Sequence, residues 1–151
     1  MAGHRPPAGR AGGRTLGIDY GEKRIGVALS DGLGIAAHPF GVLEAGGDAG
    51  PRLAELVREH DVERVVVGLP RSLDGSEGKA ATIARRFAQE LRALLDIEVA
   101  MYDERLTSRI AEDVLLSAGS SRARRRKKVD KVAAAVMLQG YLDRRDRGAR
   151  R

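Results

Sequence analysis

Four acidic residues lie within or beside apolar segments, and their side chains could act together. They are Asp19 in GIDYG, Asp103 and Glu104 after IEVAMY, and Asp130 at the start of an apolar helical pattern. An uncompensated charge is costly to bury in such surroundings, so Asp19 in particular predicts a functional carboxylate. Carboxylates that crowd together repel one another, and a bound divalent cation relieves that repulsion.

Two such ions about 4 Å apart activate a water molecule and stabilise the leaving oxygen during phosphodiester hydrolysis. The acids therefore predict a phosphodiesterase that uses two Mg²⁺ or Mn²⁺ ions and takes water as the nucleophile. Two of the acids also have a simpler interpretation. Asp130 could only favour a helix N-terminus by its charge, and Glu104 could only pair with Arg105 or Arg109.

The elements that must position these acids can be predicted from the hydrophobic pattern. Short runs rich in β-forming residues predict five strands, at 15–20, 25–31, 37–43, 62–69 and 97–102. A glycine-bearing turn joins the first two strands, and the first three together predict an antiparallel meander. The fourth run is apolar throughout, which is typical of a strand buried on both faces of a sheet.

Helical spacing of apolar residues follows the meander. It predicts helices around 53–57, 83–95 and 110–115, and a last, nearly all-apolar helix over 129–142. Before the second helix, Asp74 or Ser76 could act as a helix cap, and the loop backbone could contact a phosphate. This element order predicts an α/β fold, with a mixed five-stranded sheet and helices on both faces. Its ligand site is expected beyond the carboxyl ends of the parallel strands, where the acids would meet.

The formal net charge of +6 is unevenly distributed along the chain. Residues 1–14 and 141–151 each carry an excess of three positive charges, so residues 15–140 are formally neutral. Within that neutral part, residues 122–131 hold seven bases and one acid. A basic segment on an otherwise acidic body favours a polyanion bound at one place. A solvated charged loop would produce the same pattern.

Four segments of the chain resemble, in order and spacing, the motifs of the YqgF/RuvX family of bacterial ribonuclease H-like nucleases. They are GIDYGEKRIGVALSD, VVVGLPRSLDGSEG, YDERLTSRIAE and KKVDKVAAAVMLQGYLD, within residues 15–142. Members are described as Holliday junction resolvases and as nucleases that mature the small-subunit ribosomal RNA precursor. The resemblance implies a ribonuclease H-like fold. It also implies that Asp19, Glu104 and Asp130 are the metal-binding catalytic acids of an endonuclease in rRNA processing or DNA recombination and repair.

Basic residues near these acids are the candidates for nucleic-acid binding. Lys23 and Arg24 lie on the first turn, Arg105 adjoins Glu104, and a predicted basic loop precedes Asp130. The bases of that loop are Arg122, Arg124, Arg125, Arg126, Lys127 and Lys128. The chain has three tyrosines, two phenylalanines and no tryptophan, so limited base stacking is expected. We therefore expect recognition of backbone and shape more than of sequence.

The length of 151 residues suits one domain, expected over 15–142, with a disordered basic arm over 1–14 and a basic tail over 143–151. No apolar run is long enough to cross a membrane, and the N-terminus lacks the apolar stretch of a secretory signal. The absence of cysteine excludes disulfides and thiolate metal sites. These features favour a cytoplasmic protein that binds precursor rRNA or branched DNA, with the ribosome as a further candidate partner. Symmetric cleavage of a junction would require a homodimer.

Two other functions are compatible with parts of the sequence. GIDYGEKRIGVA also resembles the first phosphate loop of the actin-like ATPases, but those enzymes enclose their nucleotide between two such domains, and 151 residues hold one. A non-catalytic nucleic-acid-binding factor in ribosome assembly or transcription would not require the three acids. Their presence favours the enzyme.

Overall fold

A computed structural model describes residues 13–72, 74–103 and 122–149, with side chains in the last range from 131 to 145. Its strands are β1 (Arg14–Tyr20), β2 (Arg24–Ser30), β3 (Ala37–Glu44), β4 (Val62–Leu69) and β5 (Glu98–Asp103). Its described helices are α1 (Ala49–Glu59), α2 (Lys79–Leu94) and α3 (Arg122–Ala149). All five predicted strands are present, and their bounds differ from the predicted ones by one residue at most.

The five strands form one mixed sheet in the order β3-β2-β1-β4-β5. Strand β2 pairs antiparallel with both β1 and β3, which confirms the predicted meander. Strands β1, β4 and β5 are mutually parallel. Their carboxyl ends, at Tyr20, Leu69 and Asp103, therefore lie along one side of the sheet, which we call the carboxyl edge.

Helices α1 and α2 cover one face of the sheet, which we call the aliphatic face. Alternate residues of the strands point to it, because successive side chains of a strand lie on opposite sides. The largest contributors are fully buried: Leu16, Ile18, Ile25, Val27, Val65 and Val67, packed against Leu53, Phe87 and Leu91 of the helices. This cluster is the main hydrophobic core.

Helix α3 covers the opposite face, which we call the α3 face. Its buried cluster is smaller and consists of Ala28 and Val66 on the strands, with Ala134, Ala135, Met137, Leu138 and Leu142 on the helix. Because Val66 packs here while Val65 and Val67 pack on the aliphatic face, β4 is buried on both sides, as predicted. The prediction of helices on both faces is likewise confirmed.

The approach of α3 to the sheet is close at Gly17. A Cβ atom at this position would lie only 2.9 Å from Cβ of Leu138. Glycine in β1 therefore allows the helix to lie directly on the strand. No helix in the described part of the chain is long and apolar enough to cross a membrane.

The prediction of a basic loop before the last helix is wrong. Residues 122–128 form the beginning of α3, and the helix also continues past residue 142 to Ala149. Arginine and lysine have high helix propensity, and a helix held by its packed apolar part extends readily into such residues. Residues 1–12, the predicted helix around 110–115, Glu104 and Arg105 lie outside the described residues.

Candidate active site at the carboxyl edge

Asp19 is the penultimate residue of β1 and is half-buried at the carboxyl edge. Its neighbours Ile18 and Leu16 belong to the core of the aliphatic face, so the alternation of the strand places Asp19 on the α3 face. Across the sheet, Asp19 is registered with Gly26 of β2. On the other side, Gly68 follows Val67, the partner of Ile18 on β4. Both strand neighbours of Asp19 are thus glycines, which add no side chain beside it.

Gln139 shows which way α3 runs over this face. Its Oε1 accepts a hydrogen bond from the backbone N–H of Ala37 at 2.8 Å, and its Nε2 donates to the carbonyl of Ile35 at 2.9 Å. Ala37 begins β3 opposite Ser30, the last residue of β2, so Gln139 lies at the amino end of β1. An α-helix rises about 1.5 Å per residue, which puts residue 130 about 13 Å back along the axis. The amino-terminal half of α3 therefore extends toward the carboxyl edge.

The helix register excludes the simpler role considered for Asp130. Position 130 comes eight residues after Arg122, the first residue of α3, whereas the helix dipole acts within the first turn. Asp130 therefore does not serve as an N-terminal charge of this helix. Position 130 comes one helical turn before Ala134, which is buried in the packed part of α3.

The turn between β1 and β2 brings two of the predicted phosphate contacts to the carboxyl edge. The N–H of Gly21 donates to the carbonyl of Arg24 at 2.9 Å and closes the turn. A Cβ atom at Gly21 would lie 2.7 Å from that same oxygen, so only glycine fits. Lys23 is exposed and Arg24 is half-buried. Both residues directly follow the strand that carries Asp19.

A network of charged side chains at the same edge was not predicted. Arg71, in the loop after β4, contacts Glu77 (Nη2–Oε2, 3.1 Å) and Asp103 (Nη1–Oδ2, 3.7 Å). Glu77 also accepts two bonds from Arg85, from Nε at 2.7 Å and from Nη2 at 2.8 Å. The hydrogen bonds from Arg85, and after them those from Arg71, lower the pKa of Glu77 to about 2. The network ties the end of β5, one residue before Glu104, to the start of α2.

The sequence does contain one signal for this network. Arg71 follows β4 two residues after Leu69, much as Asp103 closes the neighbouring strand β5. Parallel neighbours bring such residues to one edge, so a base and an acid in these places predict an ion pair. Among the described residues, the buried Nε of Arg71 has no hydrogen-bond partner, and the contacts with Glu77 and Asp103 are made by the two Nη groups.

The helix cap predicted from Asp74 or Ser76 is wrong. The N-cap of α2 is Gly78, and no side chain caps it. Instead, Asp74 Oδ1 accepts a hydrogen bond from the backbone N–H of Ser76 at 2.9 Å, which forms a tight turn within the loop. Hydrogen bonds from Ser76 lower the pKa of Asp74.

The donor chemistry at this edge fits a hard divalent cation. Asp19, Glu104 and Asp130 would supply only carboxylate oxygens, the ligands that Mg²⁺ and Mn²⁺ prefer. Of these three, Asp19 alone has a described side chain, and among the described residues no three acidic or histidine side chains form a group that could hold a metal ion. The observation that supports the fit is therefore the half-buried Asp19 carboxylate between two glycines, on the face that α3 covers.

Solved structures with a similar architecture place the protein in a fold class. RuvC of T. thermophilus, solved in complex with a Holliday junction substrate, matches with a TM-score of 0.55 at 15% identity, over 89% of this chain and 96% of that one. The Fowlpox virus resolvase, solved with Holliday junction DNA, matches with a TM-score of 0.52 at 11% identity, over 87% and 97%. The predicted ribonuclease H-like fold is thereby confirmed.

The chain belongs to the RuvX family, described as Holliday junction resolvase, whose family model matches residues 13–144. A Bacillus cereus (strain AH187) protein named "Putative pre-16S rRNA nuclease" is 43% identical over 136 residues, which cover 87% of this chain and 99% of that protein. A Bacillus thuringiensis (strain Al Hakam) protein of the same name is 42% identical over 134 residues, covering 86% and 98%. The predicted family is confirmed, and with it the enzyme class, a hydrolase of nucleic acid.

Proposed function

We propose that the protein is a metal-dependent endonuclease that matures the 16S rRNA precursor. The observation that carries this proposal is the position of Asp19, a half-buried carboxylate at the carboxyl edge between two glycines. Ligand sites of open α/β sheets lie beyond this edge. The name shared by relatives more than 40% identical to the chain supports precursor rRNA as the substrate.

Asp19, Glu104 and Asp130 would hold two Mg²⁺ or Mn²⁺ ions. When bound, the ions would supply a Lewis acid for the phosphate and lower the pKa of the attacking water. Asp19 comes from β1, Glu104 follows β5 and Asp130 comes from α3, so the three acids join separate parts of the fold. Ligands on a strand and on a packed helix are held more rigidly than ligands on loops, which favours a fixed metal geometry.

The basic residues around the edge would hold the substrate backbone. Lys23 and Arg24 lie beside β1, Arg105 adjoins Glu104, and the six bases at 122–128 lie in the half of α3 that extends toward the same edge. Each phosphate they contact releases counterions, so binding should weaken steeply as salt is raised.

A second candidate substrate is branched DNA. The family description, Holliday junction resolvase, favours it. Symmetric cleavage of a junction requires two active sites related by a two-fold axis, and therefore a homodimer. Maturation of rRNA requires only one active site, and a precursor ribosomal particle would then be the partner. The oligomeric state in the presence of each substrate separates the two candidates.

The test is a parallel cleavage assay on the rRNA precursor and on a four-way DNA junction. Wild type and Asp19→Asn are compared with Mg²⁺, with Mn²⁺ and with chelator. We expect the precursor to be cut only when metal is present, and Asp19→Asn to lose at least about a thousandfold in rate, as when a group essential to the transition state is removed. Thermal unfolding should remain close to that of wild type.

The matched control is Asp48→Asn. Asp48 is an exposed aspartate before α1 whose side chain makes no capping hydrogen bond, so its replacement should leave cleavage unchanged. Undiminished cleavage by Asp19→Asn would overturn the proposed site. Cleavage of the junction alone would overturn the proposed substrate and leave the site standing.

A further inference from the structure

Two consecutive arginines lie in the carboxyl-terminal half of α3. Arg144 is exposed and Arg145 is half-buried. The guanidinium carbon of Arg144 lies 5.6 Å from the centre of the Tyr102 ring on β5, and that ring meets the ring of Tyr141 edge to face, with centroids 6.0 Å apart. A contact with an aromatic ring does not use the N–H donors of a guanidinium. Arg144 can therefore rest on Tyr102 and still bind an anion.

The side of α3 that carries these arginines lies over β4 and β5. Tyr141, Arg144 and Arg145 are three and four residues apart, so they share one side of the helix. Burial raises the pKa of Tyr141, and nearby charges modify it to a smaller extent. Those charges belong to Arg64, Glu98 and Arg145. Since Arg64 and Glu98 lie in the amino-terminal parts of β4 and β5, this side of α3 is at the edge of the sheet opposite to the carboxyl edge.

The charged groups around the two rings are mainly positive. Glu98, the acid among them, accepts a hydrogen bond from Nε of Arg64 at 2.7 Å. Asp143 accepts a hydrogen bond from Nε2 of Gln139 at 3.0 Å, and Gln139 also contacts β3, so Asp143 is held on the other side of α3. The pairing of Glu98 with Arg64 reduces the repulsion that a phosphate beside the two arginines of α3 would meet.

Helix α3 carries another basic segment near its beginning. The bases at 122–128 lie in the half that extends toward the carboxyl edge, whereas Gln139 lies at the amino end of β1. Residues 128 and 144 are 16 positions apart in this helix, which corresponds to about 24 Å along its axis. Successive phosphates of one strand are about 3.4 Å apart along a duplex, so this distance spans about seven phosphates. One continuous helix thus connects two basic regions at opposite edges of the sheet.

We infer that Arg144 and Arg145 form a second binding site for phosphate groups of the nucleic-acid backbone, distant from the site of cleavage. Guanidinium groups bind phosphate oxygens through charge-assisted hydrogen bonds. The inference rests on the proposed nuclease function, because it takes the carboxyl edge as the place where the substrate is cut. It narrows the substrate class to nucleic acid that reaches about seven phosphates along α3. It also gives a role to the beginning of the predicted basic tail.

Binding of labelled RNA hairpins to the Asp19→Asn protein tests the site without cleavage. One hairpin has a stem of about 4 base pairs, which is too short to reach both basic regions, and the other has a stem of about 16 base pairs. A double variant, Arg144→Gln with Arg145→Gln, is compared with the parent over a range of salt concentrations. We expect its affinity for the long hairpin to fall by about tenfold, and the slope of log affinity against log salt to decrease by about 2.

The short hairpin should bind mainly to the six bases at 122–128, so the double variant should bind it within about twofold of the parent. Arg144→Gln alone changes an exposed residue, and it should lower the salt slope for the long hairpin by about 1. This single variant shows the effect without replacing the half-buried Arg145. Thermal unfolding of each variant is measured beside its binding.

The matched control is Arg86→Gln. Arg86 is an exposed arginine of α2, which covers the aliphatic face, so its replacement removes the same charge from the other side of the sheet. We expect Arg86→Gln to bind both hairpins within about twofold of the parent.

Long-hairpin binding by the double variant equal to that of the parent would overturn the inference. So would an equal loss for both hairpins, or the same loss in Arg86→Gln, because either result would show only an effect of overall charge. These outcomes differ from failure of the proposed function. If wild type cut neither substrate, the proposed function would fail, while the dependence of binding on hairpin length would still report on Arg144 and Arg145.

Discussion

The two faces of the sheet differ in the size and chemistry of their side chains. The aliphatic face is filled by large buried residues such as Leu16, Ile18 and Val67. On the α3 face, the sheet presents small residues such as Gly17, Gly26 and Ala28, and it also carries Asp19 and Tyr102. Because successive residues of a strand point to opposite faces, one strand contributes to both. The sheet thus separates its main hydrophobic core from Asp19, for which we propose a role in catalysis.

The small residues of the α3 face have a structural effect of their own. They let α3 lie close to β1, as the contact of Gly17 with Leu138 shows. Close packing fixes the helix that carries Asp130 with respect to the strand that carries Asp19. A face built from large aliphatic residues would bury more apolar area but would hold the helix farther away. Four changes test this division of roles, in order of decreasing effect on stability.

Ile18 and Asp19 are adjacent in β1 and point to opposite faces. Ile18 is completely buried, and Ile18→Ala should lower the free energy of unfolding by about 2–5 kcal/mol through lost contacts and the cavity left behind. Chemical denaturation measures this loss. The activity per folded molecule should stay near that of wild type, the reverse of the result expected for Asp19→Asn. A large loss of activity per folded Ile18→Ala molecule would contradict the assignment of stability to the aliphatic face and of activity to the α3 face.

Gly17→Ala tests the close contact of α3 with β1. The added Cβ would lie 2.9 Å from Cβ of Leu138, and relief of this overlap should cost about 1–3 kcal/mol of stability. Because the helix must shift, cleavage should also fall. Of the four changes, only this one should lower both stability and cleavage activity. Gly41→Ala on β3 is the matched control, since nothing lies within 4 Å of its added Cβ. Equal stability of the two variants would show that Leu138 can move away from the added Cβ at position 17 at no cost in stability.

Gln139→Leu removes the side chain that joins α3 to the β2–β3 connection. Three hydrogen bonds are lost, from Ala37 N–H, to the Ile35 carbonyl and to Asp143 Oδ1 on the exposed side of the helix, which should lower stability by about 1–2 kcal/mol. Thermal and chemical unfolding measure the change. Gln89→Leu, at an exposed position of α2, is the control and should be close to neutral. A loss in the control as large as that in Gln139→Leu would contradict the assigned role.

Loss of the ion pairs of Glu77 should have the smallest effect on stability of the four changes. The contribution of these ion pairs to stability should depend on pH. Its pKa in the folded protein is about 2, below the ordinary 4.5, because Arg85 and then Arg71 stabilise the charged form. A lowered pKa means that the pair stabilises the fold above pH 4.5 and that this contribution is lost as the pH falls toward 2. NMR titration of the carboxyl group measures it. Arg85→Gln should raise the pKa of Glu77, and titration of wild type near 4.5 would contradict the network.

The strands could be predicted from the sequence because their burial produces regular patterns. Alternation in β1 and β2, and the continuous apolar run of β4, are direct consequences of facing one or two packed layers. The position of Asp19 near the end of β1 follows from the same pattern. These parts of the fold depend on residues that are close in sequence.

The beginning of α3 could not be predicted in the same way. Residues 122–128 are almost all basic, so they show no apolar period, and a helix here depends on propensity and on the packed half that follows. The network of Arg71 with Asp103, and the meeting of Tyr102 with Tyr141, depend on strand register and on the placement of α3. Such contacts join residues far apart in the chain, and no local pattern reports them.

The hydrogen bond from Ala37 to Gln139 joins residues 102 positions apart. Helix α3 follows all five strands in the chain, whereas β1, β2 and β3, on which it packs, come first. During synthesis the sheet and its aliphatic core can form before α3 has left the ribosome, since domains fold as their segments become available. The α3 face then remains uncovered until α3 follows, and Asp19 meets the helix that carries Asp130 only after all five strands have been made. The order of translation thereby delays the contact between β1 and the helix that carries Asp130 until the sheet is in place.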